Sequence, residues 1–282
     1  MRIITFLSDF GGRSPYPAAM KAAAAAVCDG AAFIDITHDV RRHHVAEGAY
    51  LLFSAVPAFP AGTVHVAVVD PGVGTVRASL VVAAGGQWFV GPDNGLLLPA
   101  ARRLGAPRVC TIRPEIAGAP GVSSTFHGRD VFAPVGGRLS RGEPVERVAA
   151  PADTWVDLDF GAGGMRDGRL EGKIIYVDPF GNLITNIPAS AASRLEVGTR
   201  LAARVGRARA DALFVPSYGH VRPGALAVVV GSDGLIEVAI NQGSAAGRLR
   251  GSEGAAVALV PVRASRPARG RRAGNRRGSL HR

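Results

Sequence analysis

The sequence predicts an α/β N-terminal domain over residues 1–165, with a mixed or parallel sheet and helices on both faces, followed by a smaller β-rich domain over residues 166–262. Three observations carry that expectation. Apolar, β-branched runs alternate with helical patterns through the first half of the chain. Helical patterns become scarce after Met165, where short β-rich runs are separated by turns. Between the two lies Phe160-Gly161-Ala162-Gly163-Gly164-Met165, a stretch of linker composition.

Each element has its own signal. Ile3–Leu7 is a short apolar strand ended by Ser8-Asp9-Phe10-Gly11-Gly12. Tyr16–Val27 is Ala-rich, and Pro15 and Pro17 suit the first turn of a helix. Ala32–Ile36 reads as a second strand, and Val45–Val56 as a helix stopped by Pro57. Val64–Val69 has the composition of a buried strand and runs into Asp70-Pro71-Gly72-Val73-Gly74. Leu80–Ala83 and Gln87–Val90 pair around Gly85-Gly86. Leu96–Leu104 is a predicted helix, Arg108–Ile112 a strand, and Asp130–Ser140 a last helix interrupted in pattern by Pro134 and two glycines. In the second half, Lys173–Val177, Leu201–Val205, Ala225–Val230, Leu235–Ile240 and Ala255–Val262 are the strands of a small barrel or sandwich.

Composition narrows the function classes. Hydrophobic residues make up 47% and charged residues 20%, which is globular, and no apolar run reaches the length of a membrane span. The start, MRIITFLSDFGG, meets acid and glycine too early for a secretory segment, so a cytoplasmic protein is expected. Cys28 and Cys110 are the only cysteines, which excludes a disulfide framework or a Cys-rich zinc site. The formal charge of +11 is concentrated at one end: residues 263–282 hold eight arginines and no acid, leaving +3 on the body. That tail is expected to be disordered, and charge alone would let it touch nucleic acid. The body shows no nucleic-acid module, so a nucleic-acid partner is not expected.

Ligands of open α/β sheets sit beyond the carboxyl ends of strands. Polar residues collect at three such places: Ser8-Asp9-Phe10-Gly11, Asp70 to Gly74 with Arg77 seven residues after the aspartate, and Gly91-Pro92-Asp93-Asn94-Gly95. A fourth polar segment, Ser123 to Asp130, contains His127. Singly, Asp9 and Asp93 are equally good Asx-turn residues. Gly72-Val73-Gly74 lacks the third glycine of a dinucleotide fingerprint, and the phosphate-loop, nucleophile-elbow and HExxH patterns are missing. His43 and His44 are adjacent and cannot share a helix face as a zinc pair, so no metal site is expected.

Taken together and in order, these segments resemble the S-adenosylmethionine hydroxide adenosyltransferase family, related to the fluorinase and chlorinase. The matching pieces include SDFG at 8–11, DITHDV at 35–40, VVDPGVGT at 68–75, GPDNGLL at 91–97, SSTFHGRD at 123–130, DPFGNLITNI at 178–187 and EVAINQGSAA at 237–246. The resemblance implies a C-terminal β-barrel and a homotrimer with active sites between one subunit's N-terminal domain and a neighbour's C-terminal domain. It implies hydrolysis of S-adenosyl-L-methionine to adenosine and L-methionine by in-line attack of water on the ribose C5′, with no cofactor. Asp70, Arg77 and His127 match the catalytic set. Asp9 matches the ribose-binding aspartate, Asn182 a nucleoside contact and Ser232 a serine that holds the methionine carboxylate. Gln242 falls where backbone reads the adenine edge, and Glu237 matches an acid near that pocket. The family's halogenases have a tyrosine in place of Asp70 and an inserted loop where this chain has Ala83-Ala84-Gly85-Gly86. Water is therefore expected over halide, a halogenase relative and a non-catalytic nucleoside-binding protein being the alternatives. Arg13-Ser14 departs from the acid or lysine of many relatives.

The chemistry suits these residue types. Methionine leaves as a neutral thioether and needs no acid, so the task is to place a nucleophile in line and remove its proton. A guanidinium and an imidazole stabilise developing hydroxide, and a carboxylate orients it. Arg77 is expected as electrostatic stabiliser, His127 as proton acceptor or water-orienter, and Asp70 as the group that fixes both the water and Arg77.

Overall fold

A computed structural model describes residues 1–262. The tail at 263–282, expected to be disordered, lies outside the described residues.

The first half forms strands β1 (Arg2–Ser8), β2 (Ala31–Thr37), β3 (Val64–Val68), β4 (Ser79–Ala84), β5 (Gln87–Pro92), β6 (Arg108–Ile112) and β7 (Ala149–Pro151). Helices α1 (Tyr16–Ala25), α2 (Val45–Ala55), α3 (Leu98–Leu104), α4 (Pro114–Ala117) and α5 (Ala133–Ser140) connect them. The sheet order is β2-β1-β3-β5-β4-β6-β7. The β2, β1, β3 and β5 strands are parallel, and β4 runs antiparallel to both β5 and β6. The sheet is therefore mixed, with helices on both faces, as the alternation predicted.

Side-chain period assigns each strand residue to a face. Ile4, Phe6, Val64, Val66, Val68, Val81 and Val90 pack against α1 and α5. Their neighbours Leu7, Ala67, Val69, Leu80, Val82 and Phe89 pack against α2 and α3. The two cores are almost free of polar atoms. One exception is His65, fully buried with Thr5 on Nδ1 at 2.7 Å and Gln87 on Nε2 at 2.7 Å. Burial holds its pKa down at about 4, so the imidazole is neutral.

The second half contains β8 (Gly164–Arg166), β9 (Arg169–Val177), β10 (Leu183–Pro188), β11 (Arg200–Val205), β12 (Ala208–Phe214), β13 (Leu226–Val230), β14 (Leu235–Ile240), a short helix α6 (Ala245–Leu249) and β15 (Ala256–Pro261). Neighbours run β10-β14-β13-β12-β11-β15-β9, and β9 pairs with β10 to close a seven-stranded barrel, while β8 adds only to β9. Leu170, Ile174, Leu201, Ala203, Val228, Val238 and Leu259 fill its interior. Of the two folds left open by strand pattern, barrel and sandwich, the barrel is the one formed.

Three local features differ from the sequence expectation. Leu183–Pro188 and Ala208–Phe214 are strands that pattern did not single out. In the first, buried Thr185 replaces an apolar residue and donates to the Ile236 carbonyl at 2.7 Å. The second alternates Ala inward with Arg209 and Asp211 outward, residues of weak β propensity. The expected helix over 130–140 is instead a π-helical turn, Gly128–Phe132, leading into α5, with Pro134 in its first turn. The wider π turn just before it accommodates the proline, which has no N–H to bond the preceding turn.

The two halves share an apolar seam of Tyr50, Ile175 and Ile184. Tyr50 stacks on Tyr176 at 4.6 Å and donates to Asp233 Oδ2 at 2.6 Å, while Ser54 donates to Oδ1 at 2.9 Å. Arg103 crosses the seam to the Asp233 carbonyl at 3.1 Å.

Candidate active site

Asp9 and Asp70 follow directly from strand register. The β1 and β3 strands are parallel neighbours with Ser8 opposite Val68, so both aspartates emerge past the same sheet edge. Asn94 fixes the end of β3: its Nδ2 donates to the Val69 carbonyl at 2.8 Å. The turn after Asp70 packs on the segment bearing His127. Gly74 has φ of 74°, and a Cβ there would lie 2.3 Å from the Ser124 carbonyl oxygen. Only glycine permits that approach, which brings residues 70 and 127 together.

Arg77 joins them. Its Nε donates to Asp70 Oδ1 at 3.0 Å and its Nη2 to Oδ2, a bidentate pair. The same Nη2 donates to His127 Nδ1 at 2.9 Å. Nη1 donates to Ser79 Oγ at 2.8 Å and to the Ala78 carbonyl at 3.2 Å. A guanidinium has five N–H bonds, and here each has an acceptor in the protein. The guanidinium also sits 5.2 Å from the centre of the Phe132 ring, placed by the π-helical turn. The pair is nearly enclosed, with Arg77 10% and Asp70 5% exposed.

Two consequences concern protons. Arg77 can only donate, so Nδ1 of His127 must accept and its hydrogen resides on Nε2. Burial and the neighbouring Arg77 charge also hold the His127 pKa below the ordinary histidine value, which favours this neutral form.

A cavity of about 340 Å³ opens at this end of the sheet. Asp9, Phe10, Tyr16, Asp70, Phe126 and His127 line it, and Arg77 does not. Phe10, Tyr16 and Phe126 form a triangle of edge-to-face rings 5.2–5.8 Å apart. Asp9 accepts the His43 backbone N–H at 2.8 Å through Oδ2, leaving Oδ1 for a ligand. His43 itself has a left-handed φ of 64° and lines the cavity with Arg42. Neither was singled out as a ligand contact; their placement depends on a turn that only tertiary structure reveals. Ser79, another partner of Arg77, was also missed, although it lies only two residues on, at the start of β4.

The remaining expected residues lie on the barrel. A cavity of about 650 Å³ is lined by Asp178, Phe180, Asn182, Tyr218, Gln242 and Ser244, among others. Gly181, at φ of 82°, packs so closely on Ser244 that a Cβ would fall 2.1 Å from its Oγ, so the FGN and NQGSAA segments share one surface. Asp178 organises the loop: it accepts from the backbone N–H of Phe180 at 3.0 Å and Asn182 at 2.8 Å, and from Asn182 Nδ2 at 2.8 Å. Gln242 sits in the left-handed region, at φ of 55°. Glu237 meets this cavity through Tyr218, whose hydroxyl donates to Oε2 at 2.7 Å. Burial, then the nearby Asp178 and Asp233 charges, raise the Glu237 pKa. Ser232 is exposed on the β13–β14 turn and lines neither cavity. The two cavities have no lining residue in common. Among the described residues no group of three or more His, Cys, Asp or Glu side chains is arranged to hold a metal ion.

Comparison with known proteins places this geometry. Residues 4–149 match the model of the SAM hydroxide adenosyltransferase N-terminal domain, and 172–258 that of its C-terminal domain. The chain belongs to the SAM hydroxide adenosyltransferase family. Within and around that family, it is 42% identical over 275 residues to the (R)-S-adenosyl-L-methionine hydrolase of Thermus thermophilus, covering 92% of this chain and 100% of that protein. A solved structure of an uncharacterized conserved protein from Thermotoga maritima superposes with a TM-score of 0.86 at 35% identity, covering 91% of this chain and 99% of that one. A fluorinase of an Actinoplanes species is more distant, at 25% identity over 270 residues, 85% of this chain and 91% of that protein. The β4–β5 connection of this chain is a tight turn: Ala84 pairs with Gln87, leaving only Gly85 and Gly86 between them.

Proposed function

We propose that the protein hydrolyses S-adenosyl-L-methionine to adenosine and L-methionine, with Asp70 and His127 holding the attacking water and Arg77 fixing both. One observation carries the division of roles: every N–H of Arg77 is already bonded within the protein, and only Asp70 and His127 reach the cavity. Arg77 therefore acts through its charge and by positioning. His127 offers Nε2–H to the water oxygen. Asp70, whose oxygens each spend one lone pair on Arg77, keeps a second lone pair for the water hydrogen. His127 thus serves as the water-orienter, and Asp70 is the acceptor. In the reaction the water oxygen bonds to C5′ and the C5′–S bond breaks. Its electron pair stays on sulfur as neutral methionine, and the water proton leaves along the hydrogen bond to Asp70. The enclosed site strengthens the field of these fixed charges.

Asp9 Oδ1 suits a ribose hydroxyl, and the amide of Asn182 with the Gln242 backbone suits an adenine edge. A nucleoside needs both cavities, and they share no wall within one chain. We therefore read the active form as a homotrimer in which the neighbour's barrel closes the site. Phe180, 78% exposed beside the barrel cavity, and Val76, fully exposed beside the catalytic turn, are apolar surfaces suited to that contact. Among the described residues no helix is long and apolar enough to cross a membrane. The tight Gly85-Gly86 turn and the carboxylate at position 70 favour water over halide.

The test is incubation of the purified protein with S-adenosyl-L-methionine in ¹⁸O-water without halide. Adenosine carrying the label at its 5′ oxygen is expected. Unlabelled adenosine, or a 5′-halo nucleoside formed faster when halide is added, would overturn the proposal.

A further inference from the structure

We propose that the barrel holds, where β12 parts from β13 beside α6, a groove for the phosphate backbone of single-stranded nucleic acid. The groove is a cavity of about 740 Å³ that shares no lining residue with either cavity above. Arg200 of β11, Arg209 of β12, Arg222 in the β12–β13 connection and Arg248 of α6 line it. Strand alternation turns the first two outward, because Leu201, Ala203, Ala212 and Phe214 occupy the barrel interior. Arg200 pairs with Leu213, four residues from Arg209, so the two cations stand about 13 Å apart along the strands.

The groove lies where strand pairing stops. The β12 strand pairs with β13 only at Ala212–Phe214, which leaves Ala208–Asp211 with unpaired backbone on that side. Among the described residues Arg200, Arg209 and Arg222 have no hydrogen-bonded or ion-paired acceptor, and Arg248 donates only to the Gly224 carbonyl at 2.8 Å. Asp211 is the one acid in the lining. A group of uncompensated guanidinium groups in one groove is relieved by a chain of anions. The charge continues in sequence: Val262, bonded to the Arg200 carbonyl at 2.9 Å, lines the groove and precedes the eight arginines of 263–282. The cavity has small-molecule dimensions, so a single strand enters and a duplex does not. Phenylalanine, tyrosine and tryptophan are absent from the lining, so recognition is through phosphates, without base stacking or sequence preference. No nucleic-acid module is visible in the sequence because the cations come from four separate elements.

The test uses the full chain and a fluorescein-labelled 20-nucleotide poly(U) RNA, followed by anisotropy from 50 to 200 mM salt. The variant Arg200→Gln/Arg209→Gln/Arg222→Gln is expected to bind at least tenfold more weakly. Its salt slope should fall by about 2, for three lost contacts on a single strand. A control that removes the same charge elsewhere, Arg147→Gln/Arg166→Gln/Arg194→Gln, is expected to change binding less than twofold. Unchanged S-adenosyl-L-methionine cleavage in both variants would show that they are folded. Equal losses in the two variants, or no loss in the groove variant, would overturn the proposal. So would tighter retention on phosphatidylserine vesicles than on RNA.

Discussion

The sheet-end cavity and the barrel cavity are built in opposite ways. In the first, the polar groups are locked from behind: Arg77 spends all its donors on Asp70, His127, Ser79 and the Ala78 carbonyl, and the Asp70 and Arg77 side chains are at most one-tenth exposed. In the second, polar groups ride on loops, and Phe180 stands in solvent. A preorganised set that needs no rearrangement suits a developing charge, whereas a loop surface suits capture of a flat, neutral base. On the proposed function, the contrast puts the chemistry in the Asp70–Arg77–His127 set, and affinity in Asp9 and the barrel loops.

The largest effects that would break this contrast come from Asp70→Asn and Arg77→Ala. Each is expected to lower kcat about 10³-fold with KM nearly unchanged, because each removes water placement without touching the nucleoside. Steady-state kinetics decides it, and a large rise in KM at constant kcat would reverse the assignment. His127→Ala should cost about 10²-fold in kcat. In the wild type, kcat/KM should fall as pH drops through a value below the ordinary histidine pKa of 6.5, because protonating Nδ1 would set it against the Arg77 N–H groups. Arg77→Gln removes that repulsion, so the His127 pKa, followed by NMR, should rise. Asp9→Ala and Asn182→Ala should instead raise KM about tenfold and leave kcat within a few-fold.

Two smaller effects sharpen the comparison by testing what holds the regions. Asp233→Ala strands the Tyr50 hydroxyl at the seam and should cost about 1–3 kcal/mol, read as a lower denaturation midpoint. His65 has a folded-state pKa of about 4, below its unfolded value of 6.5. Its contribution is complete above pH 6.5 and is lost as pH falls from there toward 4, because the unfolded chain binds the proton first. His65→Gln should flatten the stability profile in that window.

Strand–helix alternation and β-branched runs made most of the sheet domain legible, since those signals are local. The barrel was less so. Its β12 strand is written in alanine and arginine, whose pairing is dictated by closure of the sheet and not by propensity. At the site, Asp9, Asp70 and His127 stood out because strand ends collect ligands and because the motifs resemble a known family. Convergence of Asp70, Arg77 and His127 was expected, but the tautomer of His127 was not legible. It follows from which acceptor takes each Arg77 hydrogen, and that depends on Ser79 and on the Ala78 carbonyl. Ser232, carried over by motif alone, lies outside both cavities of the single chain. Arg42 and His43 entered through a turn whose left-handed residue is not glycine, a feature that sequence pattern does not advertise.

The arrangement around Arg77 is tested most directly by long-range ¹H–¹⁵N correlation NMR of His127 at pH 7. The account predicts a neutral imidazole with hydrogen on Nε2 and a bare Nδ1. An Nδ1–H tautomer, or a doubly protonated ring, would contradict it.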